Sequence, residues 1–382
     1  MWILMINDSK YQNILTSKAG FLIKLIQIYY LFSTRGERMI KRGYIIFPLI
    51  FFIIASGCSK RTEYEVVYSK GEVKTPQEQS EKRQVTIALV PKLINIPYFN
   101  AVEEGAIEAG EELGVNLIYK GPTMADATQQ INIINDLINQ KVDVIAVSAN
   151  DPVKLAPVLK KARSHDIKVI TWDADTHSSS RGFFINMVNP ETLGRHLMDT
   201  LAWNVNEEGE FAIITGAKSA ANLNIWLNWI KIQQSEYYPK MKLVKVVASD
   251  DDPHKAYLLA KQLLSTYPNL KGIIGNSSVG PPAASQAVKD LGKAGKVAVV
   301  GLSSPNPMNK YLKEDYAQVV TLWSPKKLGY LTVVLADNLL KGTLPYDQQH
   351  IPQVGKIRVI DDLVIMGEPI DFTKENVDQY DF

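Results

Sequence analysis

The chain has 382 residues, 46% of them hydrophobic and 21% charged, enough apolar material for one large core or two smaller ones. That composition excludes wholesale disorder. Lys and Arg number 42 against 40 Asp and Glu, and the formal net charge of +2 leaves no electrostatic footprint for nucleic acid. A single cysteine excludes a disulfide framework and a multi-thiolate metal site, and the 5 histidines lack zinc-ligand spacing.

From Met39 the sequence reads MIKRGYIIFPLIFFIIASGCSK: basic Lys41 and Arg42, an apolar run from Tyr44 to Ala55, then small residues before Cys58. This is the order of parts in a signal peptide, and the run is short for a bilayer span. Ala55-Ser56-Gly57-Cys58 resembles a bacterial lipobox, so residues 39–57 are expected to be removed and Cys58 to carry lipid. The alternative is a signal anchor with a buried, inert thiol. Residues 1–38 fit no targeting pattern, and Arg35-Gly36-Glu37-Arg38 is encodable by the purine-rich codons of a ribosome-binding site, so this stretch is expected to be an untranslated or disordered extension. Residues 58–84 are polar, charged and aperiodic, which reads as a lipidated tether.

After Gln84 the pattern becomes regular. VTIALVP, VNLIYKG, DVIAVSA and IKVITWD are buried-strand runs separated by helical spacing over 99–113, 126–139 and 152–164. A second series follows, with FFIN, EFAIITG, KLVKVVAS, GIIGN and KVAVVGL interleaved with helices near 190–205, 222–238, 254–266 and 281–293. Strands alternating with helices predict parallel βαβ units, and some 300 folded residues divide into two α/β lobes. No sequence repeat at fixed period is visible.

Ligands of open parallel sheets sit beyond the carboxyl ends of the strands. That rule selects Pro91-Lys92, Ala149-Asn150-Asp151, Trp172-Asp173-Ala174-Asp175, Asn276-Ser277-Ser278 and Trp323. A cation, carboxylates, amides, hydroxyls and indoles suit a polyol, whose hydroxyls take hydrogen bonds edge-on while aromatic rings cover its apolar faces. Each residue also has a plainer reading: Asp173 and Asp175 as turn or cap residues, Asp151 before Pro152 as a helix N-cap, Lys92 as a solvated cation. No G-x-G-x-x-G follows the first strand, and no P-loop, G-x-S-x-G elbow or H-E-x-x-H appears, so nucleotide binding and nucleophilic or metal catalysis lack their equipment.

VTIALVPKLINIPYF, INDLINQKVDVIAVSANDP, TWDADT, GLSSPNPMNKYL and FTKENVDQYDF together resemble periplasmic substrate-binding proteins of sugar ABC importers, nearest the autoinducer-2-binding and rhamnose-binding subgroup. The likeness covers Val85 to Phe382. It implies a type I binding-protein fold: two doubly wound α/β lobes joined by three hinge crossings, with no catalysis and no cofactor. The first lobe would comprise 85–176 plus 325–350 and the second 177–323 plus 351–382, with crossings near Thr176, Ser303 and Trp323. The implied partners are a small sugar or autoinducer-2, ABC permease and ATPase subunits, and the membrane through lipidated Cys58. Nucleic acid is not among them, and a monomer is expected on the outer, extracytoplasmic or periplasmic side of the cell envelope.

Residue by residue, the subgroup's ligand-contacting lysine falls on Lys92 and its aspartate after Thr-Trp on Asp173. In the second lobe an aspartate and a glutamine have become Asn222 and Leu223, and a proline and an alanine have become Asn276 and Ser278. Losing a charged acceptor removes hydrogen bonds of about 1.5–3 kcal/mol, so the ligand's polar pattern should differ. An intact pentose, hexose or deoxyhexose such as rhamnose is preferred over the quorum-sensing signal autoinducer-2. The binding set thus comprises Lys92, Tyr98, Phe99, Asp173, Asp175, Asn222, Leu223, Asn276, Ser278 and Trp323. Tyr98, Phe99 and Trp172 read equally as stacking platforms or core. Competing classes are a sensor docking on a receptor kinase, a sugar-responsive repressor, which would need an amino-terminal helix-turn-helix, and an enzyme on the same fold.

Overall fold

A computed structural model describes residues 83–382. The expected extension, signal peptide, lipidated Cys58 and most of the tether lie outside the described residues.

In the first lobe, β1 (Thr86–Val90), β2 (Asn116–Tyr119), β3 (Val144–Val147), β4 (Lys168–Trp172) and β5 (Phe184–Asn186) are laid in the order β2-β1-β3-β4-β5, all parallel. Three helices alternate with them: α1 (Pro97–Leu113), α2 (Ala127–Asn139) and α3 (Pro152–Ser164). Their starts are chemically marked. The Asp126 and Asp151 side chains accept the backbone N–H groups two and three residues on, and Pro152 fills the first helical position of α3. Asp151 is therefore a cap, the plainer of its two readings.

The second lobe repeats the plan. Strands β6 (Gly209–Thr215), β7 (Met241–Ala248), β8 (Leu270–Gly275), β9 (Ala298–Leu302) and β10 (Val319–Leu322) lie in the order β7-β6-β8-β9-β10, again parallel. Helices α4 (Pro190–Asn204), α5 (Ala221–Tyr237), α6 (Pro253–Thr266), α7 (Gly280–Asp290) and α8 (Pro305–Lys313) connect them. Both lobes thus have strand order 2-1-3-4-5, a duplication that is topological and leaves no repeat in the sequence. Helix α9 (Pro325–Leu340) returns to pack on α1. The small strands β11 (His350–Ile351) and β12 (Gly355–Lys356) form their own ribbon. Strands β13 (Arg358–Ile360) and β14 (Leu363–Ile365) then extend the first sheet beside β5, and β15 (Ile370–Phe372) closes the second, antiparallel to β10.

This placement corrects the expected lobe boundaries. FFIN belongs to the first sheet, so the first crossing follows Asn186 and not Thr176. The misplacement has a local cause: β4 and β5 are joined by a loop with one 3-10 turn, Ser178–Ser180, where an alternating pattern expects a helix. Ser303 is no crossing, because α8 links β9 to β10 within one sheet. The second crossing is at Trp323-Ser324, and the third lies between β14 and β15, so 358–365 stay with the first lobe.

Helices α1 and α9 approach more closely than side chains permit. A Cβ on Gly105 would meet the Lys326 carbonyl, and one on Gly329 the Val102 carbonyl. Gly105→Ala is expected to push the pair apart and lower stability by about 1–3 kcal/mol, read as a fall in the urea midpoint at unchanged slope.

Candidate functional site

The carboxyl ends of the strands on each side of both switch points face one interlobe cleft, where a cavity holds about 380 Å³ of empty space. The first lobe contributes Lys92 after β1 and Asp173 after β4, and the second contributes Asn222 at the start of α5, Asp251 after β7, and Ser277 and Ser278 after β8. Trp323 lies at the second crossing.

Asp173 is the hub. Its φ of 58° is left-handed, a conformation that Asp tolerates better than most residues, and it turns the carboxylate off the line of β4 into the cleft. Ser148 Oγ donates to one oxygen at 2.6 Å, and Lys92 Nζ lies 3.2 Å from the same oxygen. Tyr98 OH and Asn222 Nδ2 donate to the other, each at 3.3 Å. Lys92 is 5% and Asp173 2% exposed, so this is a buried ion pair whose lone pairs are occupied by hydrogen bonds. Burial, followed by the neighbouring Asp173 charge, raises the Tyr98 pKa well above the phenol range, so Tyr98 stays a neutral donor. Its oxygen accepts from Trp323 Nε1 at 3.2 Å, tying the crossing to the first lobe.

Gln130 sutures the first switch point. Its amide donates to the Pro91 and Ser148 carbonyls and accepts from the Asn150 N–H, joining the ends of β1 and β3. The Asn150 amide in turn donates to the Lys92 carbonyl at 2.7 Å. Across the cleft, Ser219 Oγ donates to the Asn150 carbonyl at 2.7 Å, a direct bond between lobes. Apolar contact is continuous there too: Tyr98, Phe99 and Trp172 of the first lobe share one buried cluster with Leu223, Trp226 and Trp323. The Trp226 and Trp323 rings lie 5.8 Å apart and tilted by 59°, forming an aromatic wall.

Three buried oxygens among the cavity residues make no close hydrogen bond, Asn222 Oδ1, Asp251 Oδ2 and Ser277 Oγ, although the Ser277 hydroxyl and the Ala217 N–H approach the Asp251 carboxylate and work against the rise that burial imposes on its pKa. Leaving such a group unsatisfied costs about 1–3 kcal/mol, so their presence side by side points to a ligand that carries hydroxyls. Burial pushes the Asp251 carboxyl above the ordinary aspartate range, against the pull of the Lys92 ammonium. Asp251 is left-handed like Asp173, with φ of 57°. Gly216 is obligatory beside it, since a Cβ there would collide with the carboxylate.

Of the residues selected from sequence, Lys92, Tyr98, Phe99, Asp173, Asn222, Leu223, Ser278 and Trp323 line this cavity. Asp175 does not. The turn at Asp173-Ala174 rotates it out of register, and Arg181 grips it through two hydrogen bonds of 2.8 Å while also reaching Asp362 at 2.6 Å. It thereby fastens the β4–β5 loop to the Asp361-Asp362 turn. Asn276 also stands behind the wall. Its amide donates to the Leu223 carbonyl at 2.9 Å and to Thr215 Oγ1 at 3.2 Å, so it holds the start of α5. Asp251 and Trp226 were not selected, and Ser277, which the strand-end rule picked out, was not carried into the binding set. Asp251 follows β7 at a strand's carboxyl end, which is the signal that picked Asp173. Among the described residues, no group of three or more His, Cys, Asp or Glu gathers as a metal would need.

Comparison with known proteins agrees with this architecture. Residues 87–344 match the family model described as a periplasmic binding protein domain. An ABC transporter solute-binding protein from Clostridium phytofermentas with bound L-rhamnose aligns with TM-score 0.74 and 30% identity, covering 78% of this chain and 98% of that one. LsrB from Clostridium saccharobutylicum in complex with AI-2 aligns with the same TM-score at 25% identity, covering 78% and 100%. The D-ribose/D-allose-binding protein of Pseudomonas aeruginosa is 25% identical over 306 residues, 78% of this chain and 92% of its own. The chain belongs to the periplasmic binding protein domain family, whose members bind solutes and do not catalyse reactions on them.

Proposed function

We propose that this chain is the lipid-anchored substrate-binding component of an ABC importer, and that it captures one small neutral sugar between its lobes. The observation that carries the reading is the cavity's polar inventory: one saturated Lys92–Asp173 pair, three unpartnered oxygens and an aromatic wall. Hydroxyls satisfy the oxygens, ring C–H faces pack on the indoles, and among the described residues the cavity offers no uncompensated cation for an anionic ligand. The ligand is a pentose, hexose or deoxyhexose. The rhamnose complex of the Clostridium phytofermentas relative supports the deoxyhexose, and the D-allose and D-ribose relatives support the others. A second reading, autoinducer-2, is favoured by the likeness to LsrB, and opposed by the loss of a carboxylate and an amide at Asn222 and Leu223.

A thermal-shift panel of L-rhamnose, D-ribose, D-allose, D-arabinose and autoinducer-2 tests both. The true ligand at 100 times its Kd should stabilise the protein by about 2.7 kcal/mol. Asp173→Asn should weaken it by about 1.5–3 kcal/mol, roughly 10- to 150-fold in Kd, because it leaves the buried Lys92 ammonium uncompensated and loosens the Ser148, Tyr98 and Asn222 side chains that the carboxylate holds around the cavity. A melt unmoved by every sugar refutes the sugar reading, and a shift with autoinducer-2 alone installs the second one.

The unliganded protein should also report Asp251. Its folded pKa is raised, so the stability it contributes is complete below the unfolded aspartate value and is lost as pH climbs through the folded value. Asp251→Asn is therefore expected to melt higher than the parent at pH 7.5, with the difference closing by pH 3.5. An equal difference at both pH values would rule out ionisation as its source. For the anchor, palmitate labelling in a bacterial host should be complete in the parent and absent in Cys58→Ser; a labelled variant would sink lipidation at that cysteine.

A further inference from the structure

A second chamber adjoins the sugar cavity. It is the roomier of the two in space open to the centre of a water molecule, about 340 Å³ against about 40 Å³, and Tyr98 and Ser278 belong to both linings. Its far walls come from three second-lobe helices: Tyr257 of α6, Val279 and Ala283 at the start of α7, and Tyr311 of α8, with Pro97 of the first lobe across the seam. These surfaces are apolar. The two tyrosine rings are fixed at their outer ends, since Tyr257 OH donates to Asp290 at 2.7 Å and Tyr311 OH to Gln286 at 2.8 Å. Set in this apolar wall is Ser304, 1% exposed, whose hydroxyl has no partner.

A free monosaccharide uses none of this. Most of what its hydroxyls would face is proline and aromatic edge, with Gln286, Ser303 and Ser304 the polar exceptions, and its own cavity already supplies polar partners. Two neighbouring pockets that share Tyr98 and Ser278, the smaller lined by charged and polar groups and the larger mainly by apolar ones, match a ligand divided the same way. We propose that the ligand is a glycoside: a monosaccharide unit in the inner cavity carrying an apolar aglycone of at least one ring, which lies between Tyr257 and Tyr311 and accepts or donates one hydrogen bond at Ser304. The aglycone passes between Tyr98 and Ser278. This inference rests on the sugar reading and narrows it.

Calorimetric titration of the purified protein with the free sugar, the methyl glycoside and the phenyl glycoside of L-rhamnose, D-ribose and D-arabinose tests it. For the sugar that binds, the phenyl glycoside should be at least tenfold tighter than the methyl glycoside. Ala283→Leu fills the chamber and should abolish that gain while leaving the free sugar's Kd within twofold. Tyr257→Ala, at a half-exposed wall position, should reduce the gain by a second route should the first variant fold poorly. A free sugar that binds with no gain from the phenyl group overturns the glycoside proposal and leaves the sugar reading standing. Binding of neither sugars nor glycosides overturns both.

Discussion

The buried Lys92–Asp173 pair constrains the rest of the site. Two opposite charges lie 3.2 Å apart with almost no exposure, and desolvating them costs several kcal/mol per ion unless every remaining lone pair is met. The surroundings meet that demand with Ser148, Tyr98 and Asn222 on one carboxylate. Only Ser148 and Tyr98 are in the same lobe as Asp173. The third donor, Asn222, comes from the opposite lobe, so the electrostatics of the pair are complete only when the cleft is closed.

Strand order explains how so many polar groups reach one place. In a 2-1-3-4-5 sheet the helices after the first and third strands leave on opposite faces, which opens a crevice between the carboxyl ends of those strands. Here two such sheets face each other. Lys92 and Ser148 flank the first switch point, and Gln130, wholly buried, donates to the carbonyls of Pro91 and Ser148 and so bridges the two strand ends. Ser277 and Ser278 follow β8 beside the second. The catalytic triads and cofactor loops that the same topology supports elsewhere have no counterpart in the residues placed here, in keeping with a family that binds without reacting.

Much of this was legible in the sequence because the strands are apolar runs and the helices carry explicit start signals. Asp151 before Pro152 is visible as a cap in the sequence alone, and α3 matches the predicted 152–164. The strand-end rule also found Lys92 and Asp173. Asp251, at the end of β7, was not among the residues it selected; the adjacent Asp252 caps α6, while Asp251 has a left-handed backbone and lines the cavity. Asp175 failed for the related reason that a left-handed residue two positions earlier rotates it away, which alternation cannot foresee. The short strands β5, β13 and β14 carry too few residues for any period, so the lobe boundary had to wait for pairing. Gln130 had a readable signal: it stands one turn before Ile134 on the buried face of α2, where a polar side chain needs partners.

Closure follows from the same accounting of polar groups. Moving a two-state hinge from one per cent closed to ninety-nine requires about 5.5 kcal/mol of differential affinity. Direct polar bonds between the lobes around the cavity are few, chiefly Ser219 to Asn150 and the long Asn222 to Asp173 contact, and an aromatic cluster continues across the seam. Against these stand the unpartnered oxygens of Asn222, Asp251 and Ser277, all from the second lobe, which lose water when the lobes meet and regain nothing without a ligand. Three such groups at about 1–3 kcal/mol each penalise empty closure by roughly the required amount. A ligand held on the first lobe by Lys92, Asp173 and the aromatic rings removes the penalty only if its hydroxyls reach those three oxygens. On the proposed sugar-binding reading, recognition and closure are therefore one event: a solute lacking a hydroxyl at the right place is expected to bind one lobe weakly and not to hold the two together.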